Sequence, residues 1–233
     1  MSGRLRVAGV DGWRGRWVVA VVEPATGHVE WALANDAAEV VERTADCAAV
    51  AVDVPMGLSQ GPGGRECDAL ARKALPGAAS CVFPAPLRPT LDATTHAEAV
   101  KVARALEGGA PSIQAWNITP GIRGWDDVLG ADPDLQRRVV ESHPEVSFRR
   151  LGGPPVWARK STARGVAQRV SSLRPWVDAM AALATVPDGP GIDDALDALV
   201  CAWSARRYVD GRADTLPLSP PADARGLLMR IVV

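Results

Sequence analysis

The feature that most limits how this chain can fold is the run of short apolar segments at its start. Residues 5–10, 16–22 and 28–33 are β-rich and joined by the Gly-containing turns GWRG and PATGH, a spacing that predicts an antiparallel meander. Residues 36–44 (DAAEVVERT) then read as a short helix capped by Asn35 or Asp36. It leads into AAVAVDVP, a continuous apolar run of the kind a strand buried on both faces shows. Pro55 and Gly57 stop that run just beyond Asp53. Three strands, a helix and a fourth strand lying beside the first predict an α/β fold: a mixed sheet of three antiparallel strands followed by parallel ones, flanked by helices.

The rest of the chain fits one domain spanning residues 1–233 with an insertion at about 57–136. Within the insertion, residues 66–74 and 95–107 read as helices, and CVFPAPLRPT is too proline-rich for a central strand. The segment GGAPSIQAWNITPGIRGWDDVLG reads as an ordered loop that must bury Ile113, Trp116, Ile118, Ile122 and Trp125, packed on one edge of the sheet. In RRVVESHPEVSF the strand pattern returns, with two valines, Glu141 and a His-Pro stop. A loop bearing Arg159 and Lys160 precedes a helix from about Ala163. The clearest helix is GPGIDDALDALVCAWSARRYVDG, with acids in its first turn and a stripe of Leu196, Leu199, Val200 and Trp203. The C-terminal LLMRIVV reads as a last extended piece.

An apolar content of 47% in 233 residues supports a substantial core. No apolar run approaches the roughly 18 residues of a membrane span, and MSGRLRVAGVD lacks the apolar core of a signal peptide, so a cytoplasmic protein is expected. Cys47, Cys67, Cys81 and Cys201 are scattered without a CxxC pattern, which argues against structural zinc and disulfides. A net charge of −1 gives no global basic field, so a nucleic-acid partner needs a local patch.

Three apolar runs end on acids: Asp11, Asp53 and Glu141. One acid before a glycine is often only a hairpin residue, and Asp11 alone keeps that reading open. If the three strands are parallel neighbours, however, their acids project at one sheet edge, where the last helix can bring Asp194 and Asp197. Asp197 lies at the border of the apolar stripe, whereas Asp193 reads as a cap. Carboxylates crowded without a cation repel one another, and a divalent ion removes that cost. Asp11, Asp53, Glu141 and Asp197 are therefore the expected ligands of Mg²⁺ or Mn²⁺, with Asp194 as a further catalytic candidate. His143, flanked by Glu141 and Glu145, reads either as a general base or a group supporting the site, as Glu145 does, or as a turn residue before Pro144. Arg149, Arg150, Arg159, Lys160, Arg164 and Arg169 form a basic stretch, suited to phosphate contact or to a solvated helix face. Arg65, Arg159, Lys160 and Arg164 are the candidate substrate-binding cations, and Trp13 a candidate for stacking on a base.

With its strand order, GVDG at the first strand and a late DDALDAL helix, the chain resembles the RNase H-like superfamily. More closely, GVDGWRGRW, DVPMGL, RECDALARKAL, VFPAP, ESHPEVSF, KSTARGVAQR and DDALDALVCAW are together similar to a predicted RNase H-fold nuclease family catalogued as domain of unknown function 429. That resemblance spans nearly the whole chain. It implies a metal-dependent nuclease, with Asp11 as the first-strand acid. Asp194 and Asp197 match the two helix acids, three apart, of resolvases of the RuvC kind. Both Asp53 and Glu141 fit the remaining position. Two other readings stay open. One is a phosphotransferase of the superfamily's kinase-like branch, with the GVDGWRGRW turn on nucleotide phosphates. The other is a nucleic-acid-binding protein that keeps the fold without turnover.

Overall fold

The structure, a computed structural model, describes residues 5–152 and 158–233. Strands β1 (Val7–Trp13) and β2 (Arg16–Glu23) pair antiparallel, and β3 (His28–Ala34) completes the meander. Arg14 and Gly15 make the first turn with φ of 49° and 76°, the left-handed pair whose twist suits a two-residue hairpin. Helix α1 (Ala37–Arg43) is capped by Asp36, whose carboxylate accepts the Glu39 N–H at 2.8 Å. Strand β4 (Ala49–Val52) then returns parallel to β1. Helices α2 (Glu66–Ala74), α3 (His96–Ala105), α4 (Ile113–Asn117), α5 (Thr119–Ala131) and α6 (Leu135–Arg138) lead to β5 (Val139–Glu141), which pairs parallel to β4. Helices α7 (Pro144–Gly152), α8 (Ala163–Leu173), α9 (Ala179–Leu183) and α10 (Ile192–Val209) follow, and β6 (Thr215–Leu216) with β7 (Ile231–Val232) forms a separate antiparallel ribbon. Among the described residues the main sheet is therefore a mixed one of order β3-β2-β1-β4-β5.

Side-chain alternation divides the core in two. Ala8, Val10, Val50, Val52 and Val139 face α1 and α5, burying Ile122, Trp125 and Leu129. Val7, Ala49, Ala51 and Val140 face α7 to α10, burying Phe148, Leu196 and Leu199. The segment expected to be a loop at the sheet edge is thus largely helical and covers a face. Ser112 caps α4 by accepting the Ala115 N–H, and Pro120 lies in the first turn of α5, where its missing N–H breaks no helical bond. Likewise the His-Pro dipeptide after β5 starts α7 as well as stopping a strand.

One contact fixes the last helix on the first strand. A Cβ on Gly9 would stand 2.0 Å from the Ala198 carbonyl oxygen and 2.1 Å from the Ala202 nitrogen. Only glycine lets β1 and α10 meet backbone to backbone. All four cysteines are free thiols. Among the described residues no helix is long and apolar enough to cross a membrane.

Candidate functional site

Strand register decides which acids meet. Val10 pairs with Val52 and Val52 with Glu141, while the Asp53 N–H donates to the Val10 carbonyl and the Ser142 N–H to the Val52 carbonyl, both at 2.9 Å. Asp11, Asp53 and Ser142 therefore share one register level and face α10, whereas Glu141 is one step back and belongs to the opposite face. Asp11 lies inside β1 opposite Val18, three residues before the hairpin turn at Arg14. It is a strand residue aimed at the helix layer, which removes the turn reading.

Across from it α10 supplies Asp197, 3% exposed, at the position Gly9 allows it to reach. The Asp11 and Asp53 carboxyls, on neighbouring strands at this level, act on each other's charge. Burial, then Asp197 and Asp53, push the Asp11 carboxyl well above the usual range; burial also raises Asp53, against the charges of His143 and Lys160. Burial raises Asp197 to about 7, against the pull of Lys160. Lys160 Nζ donates to Asp197 Oδ2 at 2.6 Å and lies 3.8 Å from Asp193. Asp197 Oδ1 is buried without a partner.

Glu141 and Arg65 require correction. Arg65, expected at a surface to bind substrate, is 4% exposed and grips Glu141 through two bonds of 2.6 and 2.8 Å. The Met56 N–H adds a third at 2.7 Å. Burial pushes the Glu141 carboxyl up to about 7 while Arg65 opposes it, and the three donated bonds fix Glu141 as the ionised partner of that arginine. Its oxygens are committed, so it is no ligand in waiting. Arg65 also pairs with Asp68 and donates to the Met56 and Gly57 carbonyls, and Asp68 accepts the Ala85 N–H at 2.8 Å. One buried guanidinium thus ties together DVPMGL, RECDALARKAL, VFPAP and ESHPEVSF.

The acids open onto a cleft of about 790 Å³. Arg149, Arg159, Lys160, His143, Glu145 and Asp194 border it. Glu145 receives a 2.5 Å bond from Arg169, a buried arginine of α8 that also donates to the Ala158 carbonyl and so holds the loop leading to Lys160. Arg169 is thereby removed from the expected basic face. His143 Nδ1 is buried without a partner. Asp194 accepts the Gly191 N–H at 2.7 Å, taking the capping role expected of Asp193. Arg164 is exposed on α8 and does not border the cleft. Trp13 does not border it either: its ring packs over Gly189, where a Cβ would stand 2.5 Å from Cη2. Lys160 points into the acids, so the outward-facing cation expected from sequence is instead their counter-charge.

The donor set suits a hard divalent cation: the neighbouring Asp11 and Asp53 carboxyls, Asp197 with an orphaned buried oxygen, and one ammonium already drawn in. Among the described residues no three His, Cys, Asp or Glu side chains stand grouped so as to hold an ion at once. Binding one would require Lys160 to leave Asp197 and the carboxylates to close in.

Fold and site together define a mixed α/β protein with a largely buried carboxylate cluster where its central parallel ladder ends against α10. The chain belongs to the family described as Protein of unknown function (DUF429), whose signature matches residues 9–222. Comparisons with curated proteins and with solved structures find no match.

Proposed function

We propose that the protein is a divalent-cation-dependent hydrolase of phosphodiester bonds in nucleic acid. The observation that carries this reading is the partnerless Asp197 Oδ1 beside Asp11 and Asp53, because two buried carboxyls and a half-buried third with one lysine leave a deficit of positive charge. The sheet order is the one an RNase H-like chain requires, which supports the same reading. Asp11, Asp53 and Asp197 would hold Mg²⁺ or Mn²⁺, with Asp194 at the margin. When bound, the ion supplies Lewis-acid polarisation of a phosphoryl oxygen. Arg149 and Arg159 border the cleft where a strand's phosphates would approach. His143, its Nδ1 buried without a hydrogen-bond partner, borders the same cleft.

The phosphotransferase alternative gains nothing from the first turn. Arg14 and Gly15 are both left-handed, and a two-residue hairpin lacks the alternating backbone that gathers N–H groups on a phosphate. The test is cleavage of duplex, junction and single-stranded DNA and RNA with Mg²⁺ or Mn²⁺, by wild type and by Asp11→Asn, with melting temperatures alongside. Turnover that depends on the metal and disappears in a folded Asp11→Asn supports the proposal. Equal turnover in both proteins, or none on any substrate, defeats it and favours the binding-protein reading.

A further inference from the structure

The cleft has a second wall that the acids do not explain. Residues 75–78 and 80–83 line it, and at its lip Phe83 is 42% exposed, with Ile118 beside the same cleft at 43%. Large apolar side chains left in water at the mouth of a charged site mark a binding surface. Phe83 is also held rigidly. Its preceding residue, Val82, is buried against Cys67 and Ala71, and the Val82 carbonyl accepts from Arg72 at 2.7 Å. Two residues on, the Ala85 N–H is fixed on Asp68, and Pro84 and Pro86 stiffen the chain between. The Arg65 knot thereby sets this aromatic ring relative to the carboxylates. Cys81 lines the same cleft as Glu145, Lys160 and Asp197, so this wall and the acids share one cavity.

We infer that Phe83 is a stacking platform for an unpaired base, and that the cleft takes single-stranded nucleic acid. This rests on the hydrolase reading above and adds the substrate's form. The chemistry of the walls is divided as a single strand divides its own: an apolar wall with a fixed aromatic for the base, and Arg149 and Arg159 for the phosphates. In a duplex interior each base already has both faces covered by its neighbours, so a ring at the lip has no base face to meet. Stacking of this kind tolerates any base, since each has a π-face.

Fluorescence anisotropy with Ca²⁺ present tests this on a labelled thymidine strand, the same strand made abasic, and a blunt duplex. Phe83→Ala, whose side chain is exposed and whose melting temperature should match wild type, is expected to weaken binding of the thymidine strand by about 5- to 100-fold, the loss of one base–aromatic stack. Phe83→Trp should bind as well as wild type or better, and the abasic strand should not distinguish any of the three proteins. Equal loss on the abasic strand, no loss on the thymidine strand, or tighter binding of the duplex overturns the inference. In those cases metal-dependent cleavage of duplex by wild type and not by Asp11→Asn would leave the hydrolase proposal standing. Absence of binding and cleavage with every form would end both.

Discussion

Gly9→Ala tests whether the site depends on the seat of α10. The new Cβ would start 2.0 Å from the Ala198 oxygen, 2.1 Å from the Ala202 nitrogen and 2.8 Å from the Cys201 carbonyl carbon. These are backbone atoms of an interior helix, so no side chain can swing aside. To reach an ordinary contact of about 3.4 Å the helix must withdraw by about 1.4 Å, opening the layer that buries Val7, Ala198 and Leu199. Overpacking of this kind costs about 1–3 kcal/mol, occasionally more, and a backbone-to-backbone clash belongs at the upper end. At about 2–4 °C per kcal/mol for a chain of this size, Tm should fall by roughly 6–12 °C. Asp197 immediately precedes Ala198, so the same withdrawal should remove any rise in Tm that Mg²⁺ or Mn²⁺ gives the wild type. Gly12→Ala is the matched control from the same GVDG segment, because its Cβ would meet only Trp17 Cζ3 at 3.7 Å. Thermal scans of the three proteins with EDTA and with metal decide the matter. A Gly9→Ala protein melting within about 2 °C of wild type would refute the close approach, since relief of such a clash cannot be that small.

Arg65→Met should destabilise by about 3–5 kcal/mol in urea unfolding, since it strands Glu141 and Asp68 in the interior. Arg159→Ala should lower the salt slope of nucleic-acid binding by about one counterion while Arg164→Ala leaves it unchanged, because only the first borders the cleft. Metal-free protein should lose stability as pH rises toward neutrality. Asp197 binds its proton more tightly folded than unfolded, so its contribution is complete below 3.8 and is lost as pH rises through about 7. A Tm that climbs from pH 5 to pH 8 in EDTA would contradict this. Lys160→Met should lower Tm in EDTA by uncovering Asp197, and Mn²⁺ should restore more stability to the variant than it adds to wild type.

Much of the sheet could be read from local pattern. Asp36 as one of two cap candidates, the limits of α2 and the start of α8 all follow from signals within a few residues. Acids at strand ends were equally visible, and two of three, Asp11 and Asp53, do meet. What defeated Glu141 is parity: β5 is three residues long, too short to display its alternation, and its register against β4 is a long-range fact. Arg65 read as a substrate-binding cation because Glu141, one of its two carboxylate partners, lies 76 positions away. Helix α5 was hidden by the proline and glycines of TPGIRG, although Ile122, Trp125 and Leu129 already carried helical spacing. Phe83 went unremarked, since an aromatic between prolines has no periodicity to betray it.

The seat of α10 on β1 also sets a schedule. Asp11 and Asp53 are synthesised before Asp197, with β5 and most of the helices between them. A nascent chain that has made only β1 to β4 therefore carries Asp11 and Asp53 without their helix partner. The three-carboxyl cluster is complete only once α10 has been made and has docked on β1, and under the proposed activity the protein has no hydrolytic site before that.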